Sequence, residues 1–240
     1  MDSDSTIYGV FIIESMDMEN ESNGKLDGYA LKTILELCDI PSTYYYIRTK
    51  LEFENVIQEF EKSNFRFLHI ACHGNNEELA LTFETIDFSE LDILLGGILY
   101  HKRLFLSACQ VAVFELAEYF IPKYHCYSVI GTPDDLDYDK AAIFWSSFYY
   151  LMYSNDKNKM VQVDILPTLI NVSLLFKITL NYFSIINNDN PKSINHLRKI
   201  SIKDGGILSD NVMLTRFQNQ FRENEGTQFL NQNIINTDKS

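Results

Sequence analysis

Short apolar runs alternate with amphipathic ones from Thr6 to about Tyr153, and this restricts the fold more than any other feature of the 240 residues. "TIYGVFII" (Thr6 to Ile13) is β-branched and apolar, and predicts a buried strand. The acidic loop "ESMDMENESNGKLDG" follows. "YALKTILELC" spaces Ala30, Leu31, Ile34, Leu35 and Cys38 as one face of a helix. Past Pro41, "STYYYIRT" predicts a second strand, and "EFENVIQEFEK" an amphipathic helix. "FRFLHIAC", "RLFLSAC" and "YSVIG" predict three more strands. "FSELDILLGGIL" (Ser89 as its N-cap), "VAVFELAEYF" and "KAAIFWSSFYYLMY" predict the helices that follow them. Strands this short, apolar on both faces and separated by helices belong to a mostly parallel sheet covered on both faces. No linker or repeat divides the chain, so residues 1–200 read as a single domain. Its last helix is expected at Pro167 to Ile186. From about 201 to 240 the chain turns polar and rich in Asn and Gln, and reads as a loosely held extension.

Charge narrows the partners. The net charge is −13 with no block of Lys or Arg. Such a surface repels phosphate backbones and anionic lipid, so neither nucleic acid nor a membrane is expected as a direct partner. "MDSDST" lacks a basic and then apolar leader pattern. The most lipid-like stretch, Ile165 to Ile186, carries Asn171, Lys177 and Asn181, and suits a buried helix better than a membrane span. Cys38, Cys72, Cys109 and Cys126 form no C-x-x-C pair and no zinc spacing. They read as free thiols of a cytoplasmic protein, with no metal or cofactor. The absence of G-x-S-x-G, P-loop and G-x-G-x-x-G patterns argues against a hydrolase elbow and against nucleotide sites.

Two apolar runs end in reactive side chains: "FLHIACHG" in His73 and Gly74, "LFLSACQ" in Cys109. In an open α/β sheet functional groups gather at the carboxyl ends of strands. Consecutive strands are often neighbours, so these two side chains are expected to meet. A thiol attacks only as its thiolate, which a nearby imidazole promotes; so does the start of a helix expected near Val111. Gly74 lets the backbone approach a substrate closely, and its N–H with that of Cys109 suits an oxyanion. The plainer alternative is a core cysteine and a loop-capping histidine.

"HIACHG" followed by "LFLSAC" and an apolar helix resembles the His and Cys motifs of caspase-like peptidases. The likeness is nearest to the CHAT type, within the clan of caspases, metacaspases, separase and gingipains. "YSVIGTPDDLDYDKAAIFWSSFYYLM" resembles the next strand, acidic loop and aromatic helix, so the likeness spans roughly Ile7 to Tyr153. His73 and Cys109 are 36 residues apart, against about 50 in caspases. The resemblance implies a three-layer caspase-like sandwich and a cysteine endopeptidase with His73 as base and Cys109 as nucleophile. It also implies a protein substrate, encoded nearby, and a role in bacterial antiviral defence or signalling.

Where animal caspases carry glutamine two residues before the nucleophile, this chain has Ser107. On a strand Ser107 shares the side of Cys109 and is expected to line the first substrate pocket. Glu14, Asp134 and Asp135 are candidates for adding negative charge there. The acidic loop from Glu14 to Gly28 and the loop from Gly131 to Asp139 are both expected to border the site. They are the expected switch for an activating partner or self-association, for which Pro167 to Ile186 offers an apolar surface. The alternative function is a silent scaffold or sensor of the same fold. His69 is expected in the core, Cys72 on the opposite strand face from His73, and Cys126 in the core.

Overall fold

The computed structural model describes residues 6–155, 162–185, 196–203 and 206–213. Strands β1 (Ile7–Ser15), β2 (Ser42–Tyr46), β3 (Phe65–Gly74), β6 (Arg103–Ser107) and β7 (Ser128–Gly131) form the parallel part of one sheet. β4 (Glu78–Ala80) and β5 (Thr85–Asp87) form a small hairpin on the end of β3. β8 (Leu180–Ile185), β9 (His196–Lys203) and β10 (Gly206–Met213) extend the sheet antiparallel beyond β7. The order across the sheet is β10-β9-β8-β7-β6-β3-β1-β2.

The strand sequences dictate the layers, because successive side chains point to opposite faces. Phe11, Ile13, Leu68, Ile70, Leu104 and Leu106 pack against α3 (Lys50–Ser63), α4 (Phe88–Leu95) and α5 (Phe114–Tyr124). Val10, Ile12, Phe67 and Phe105 pack against α2 (Asp27–Leu37), α6 (Tyr138–Asn155) and α7 (Gln162–Phe176). The result is the expected three-layer α/β sandwich with a mostly parallel central sheet. A short helix, α1 (Met18–Ser22), lies in the loop after β1. Among the described residues no helix is long and apolar enough to cross a membrane.

Four expectations change. The apolar run expected as one helix to Ile186 divides instead: α7 ends at Phe176, and Lys177 turns the chain through a left-handed backbone (φ 55°) into β8. The Ser173 hydroxyl secures that turn by donating to the Ile178 carbonyl. Tyr182 and Phe183 then pack on opposite faces of the sheet, a periodicity of two hidden in a run without Gly or a second Pro to mark the break after α7. Ile186 itself lies outside the described residues. The helix expected near Val111 begins at Phe114, with Val113 in extended backbone before it. α4 is capped by Asp87, not Ser89: its carboxylate accepts from the Ser89 and Glu90 N–H groups. The boundary drawn after residue 200 falls inside β9. Residues 206–213 pair as β10, and 214–240 lie outside the described residues.

Candidate active site

β1 lies between β2 and β3, so the chain leaves it toward one side and returns on the other. That reversal opens a crevice at the carboxyl ends of β1 and β3, the place where such sheets bind ligands. β3 outruns its neighbour: the pairing with β6 ends at Ala71 opposite Ser107, and His73 lies beyond, paired with Ala80 of β4. His73 and Ser107 share the sheet face of Phe67 and Phe105, above α2 and α6. Cys109 follows two residues after the end of β6.

A cavity of about 270 Å³ opens there, lined among others by Asp27, His73, Ser107, Cys109, Leu136 and Tyr138. The structure thus brings together the histidine, the thiol and the serine. It does not join imidazole and thiol by a hydrogen bond among the described residues. The Cys109 Sγ accepts the Leu136 N–H at 3.3 Å and lies 3.8 Å from the Leu136 carbonyl. α5 starts at Phe114, five residues after Cys109 and not two as expected.

Gln110 has a left-handed backbone (φ 59°), uncommon for a residue with a Cβ. Two bonds hold it there: its N–H donates to the Asp134 carbonyl at 3.2 Å, and its Nε2 to the Asp135 carboxylate at 2.9 Å. Asp135 lines the cavity, whereas Asp134 contributes its carbonyl and leaves its side chain exposed. Gly74 packs beside this turn. A Cβ on it would lie 2.5 Å from Val111 Cγ1 and 3.5 Å from the Cys109 carbonyl, so only glycine lets β3 and the cysteine turn approach this closely.

Glu14 is not among the residues lining the cavity. It is fully buried, and its carboxylate accepts from the Gly28 N–H at 2.8 Å, the Tyr29 N–H at 3.0 Å and the Tyr44 hydroxyl at 2.8 Å. It therefore caps α2, whose own N-cap residue, Leu26, has no side-chain oxygen to offer. Burial, and then the nearby Asp27 charge, push its carboxyl up to about 7. Charge in the cavity comes instead from Asp27, at the first position of α2. Its Oδ2 accepts the Ser107 hydroxyl at 2.6 Å. Burial raises its carboxyl to about 6, with the Ser107 bond pulling the other way. Asp135 and Asp137 line the cavity too, and among the described residues Lys25 is the one lysine or arginine that does so.

His73 gains partners that sequence reading missed. Its Nε2 lies 2.8 Å from Asp17 Oδ2 and 2.8 Å from the Tyr138 hydroxyl. The Asn20 amide nitrogen is 3.1 Å away. Burial, and then the Asp17 charge, raise the Tyr138 hydroxyl to about 12, so it stays neutral. The sequence signal for Asp17 was an N-cap residue three positions before Asn20; for Asp27, an Asp-Gly pair opening a helix.

The remaining histidine and cysteine expectations have clear positions. His69 is fully buried with Nδ1 3.2 Å from the Tyr149 hydroxyl, and its ring packs edge-on to Trp145. Cys72 points into the opposite layer from His73, and burial holds its thiol far above the ordinary range. Cys126 is buried in that same layer.

No protein-family model matches the chain, and no curated protein matches it either. Among solved structures, caspase-1 from Spodoptera frugiperda is similar in chain path, at 14% sequence identity and a TM-score of 0.49, over 89% of this chain and 92% of that one.

Proposed function

We propose that this protein is a cysteine endopeptidase that cuts a protein partner after a basic side chain, with Cys109 as nucleophile and His73 as base. The observation that carries the reading is the shared cavity, where both groups stand at the carboxyl ends of adjacent parallel strands. His73 takes the thiol proton, and Sγ attacks the carbonyl carbon of the scissile peptide. The oxyanion falls to the backbone N–H groups of Gly74 and Cys109. Collapse of the tetrahedral adduct breaks the C–N bond, and the imidazolium returns its proton to the leaving amine. Water, deprotonated by His73, then splits the thioester to a carboxylic acid and the thiol.

Substrate class follows from charge. Asp27 is a buried carboxylate on the cavity wall whose one described side-chain partner is the neutral Ser107 hydroxyl. A buried anion favours a cation beside it. An arginine or lysine side chain entering the cavity supplies one, whereas an acidic side chain meets repulsion. Acting on a protein encoded nearby, in defence or signalling, is part of the same proposal and rests on the resemblance in the motifs.

The test uses an acyloxymethyl ketone carrying a basic side chain. It should label Cys109 in preference to the other three thiols, and cleavage of basic peptides should vanish in Cys109→Ala. The dyad acts as a unit, so His73→Ala combined with Cys109→Ala should be no worse than either alone. Substantial cleavage by purified Cys109→Ala, or equal labelling of all thiols, would overturn the reading.

A further inference from the structure

The polar cluster around His73 determines which ring nitrogen carries the proton. Asn20 Nδ2 lies 2.6 Å from Asp17 Oδ2 and 2.8 Å from the Tyr138 hydroxyl oxygen. An amide nitrogen has two hydrogens, and these two contacts use both. The reversed amide would put its oxygen 2.6 Å from the carboxylate oxygen with no hydrogen between two acceptors, so the orientation is fixed by chemistry. Asn20 therefore has nothing left to donate to His73 Nε2, although the two nitrogens are 3.1 Å apart.

Nε2 faces Asp17 Oδ2 at 2.8 Å. An ionised carboxylate only accepts, so this contact is a hydrogen bond only when Nε2 holds the proton. In the competing arrangement Tyr138 donates to a bare Nε2, which leaves a carboxylate oxygen against a nitrogen lone pair. The charge-assisted bond is the stronger of the two. Asp17 is itself held in place. Its Oδ1 accepts the Asn20 N–H at 2.8 Å as the cap of α1. That bond, ahead of the contact with His73, keeps its carboxyl below the usual range and so ionised at neutral pH. α1 is tied to the edge of the sheet by Glu21, which pairs with Arg48 and accepts the Tyr46 hydroxyl at 3.0 Å.

We infer that Asp17 is a positioning residue for His73: it holds the imidazole in the Nε2–H form and leaves Nδ1 as the lone pair that receives the Cys109 proton. This rests on the peptidase reading above and adds a third member to it. During transfer the thiol proton passes to Nδ1, the Nε2 proton stays on its bond to Asp17, and the imidazolium gains the carboxylate as counter-charge.

Three measurements on the full chain test it. Nitrogen-15 NMR of the imidazoles in the unmodified protein should find neutral His73 protonated at Nε2; protonation at Nδ1 would overturn the inference without any variant. Iodoacetamide alkylation of Cys109, read by mass spectrometry, should slow in Asp17→Ala by about tenfold or more, within the range that a positioned base contributes. Asp17→Asn keeps a good cap for α1 and removes the charge. It should show the same loss, with kcat falling and KM held. If His73→Ala slows alkylation while both Asp17 variants behave as wild type, the inference fails and the dyad stands. If His73→Ala alkylates at the wild-type rate, the dyad itself fails, and the NMR result still decides the Asp17–His73 bond.

Discussion

The Ser107 hydroxyl donates to Asp27 Oδ2 over 2.6 Å, and this bond joins the end of β6 to the start of α2 beneath the cavity. It couples the residue two positions before the proposed nucleophile to the carboxylate proposed to read the substrate.

Asp27→Asn should therefore change specificity more than turnover. Losing one partner of a buried charge pair costs about 2–5 kcal/mol, so kcat/KM for peptides with Arg before the cut should fall by about tenfold or more. Peptides with an uncharged residue there should be much less affected. The Arg preference of the wild type should also strengthen as pH rises through about 6, where Asp27 ionises. Steady-state kinetics on paired peptides checks both. A wild-type profile dominated by Asp at that position would contradict the charge argument.

Stability should depend on pH through two opposing sets of groups. Glu14 and Asp27 titrate at about 7 and about 6 when folded, above their ordinary 4.5 and 3.8. The folded chain then binds more protons than the unfolded one, so these groups reduce stability as pH rises from about 4 to about 7. His69 acts in reverse: burial lowers it from 6.5 to about 3, so it reduces stability as pH falls through that interval. Glu14→Gln keeps an acceptor for the α2 N–H groups and removes one carboxyl. Its urea midpoint should fall less than wild type between pH 5 and pH 8. An unchanged difference would show that Glu14 does not titrate there.

Gly74→Ala should fold yet lose most of its activity. The new methyl would meet the fully buried Val111 side chain and displace the turn that carries Cys109. Overpacking of this kind costs about 1–3 kcal/mol, and misplacing the thiol by an ångström should cost about a hundredfold in rate. Thermal unfolding and peptide cleavage measured together check this.

The Cys109 thiol is bonded to the Leu136 backbone and, among the described residues, not to His73; on the proposed function this is the arrangement expected before activation. Specific activity should consequently rise with enzyme concentration, or on adding the products of neighbouring genes. That would be a shift in a pre-existing equilibrium. Full specific activity in dilute, isolated protein would dispose of this expectation.

The parallel core was legible because each strand buried on both faces leaves a short apolar run, and each covering helix leaves a 3.6-residue period. His73 and Cys109 stood out because those runs ended in them. β8 was not legible, because the apolar run continued from α7 into it without a turn residue; only Lys177, in a left-handed backbone, divides the two. Glu14 was misplaced for a related reason. A carboxylate at a strand end reads as exposed, and nothing local revealed that α2 lacked a cap of its own. Asp17, Asn20 and Tyr138 reach His73 from positions 53 to 65 residues away in sequence, so only the fold assembles them.

The segment from Thr132 to Tyr138 fastens four points at once: the Asp134 carbonyl to the Gln110 N–H, the Asp135 carboxylate to the Gln110 amide, the Leu136 backbone to the thiol, and the Tyr138 hydroxyl to the imidazole. Its length is thereby set to the residue. One amino acid inserted between Asp134 and Tyr138 would put successive attachments out of step, and His73 and Cys109 would lose their anchors together. A longer loop at this place would have to hold the cysteine by other means.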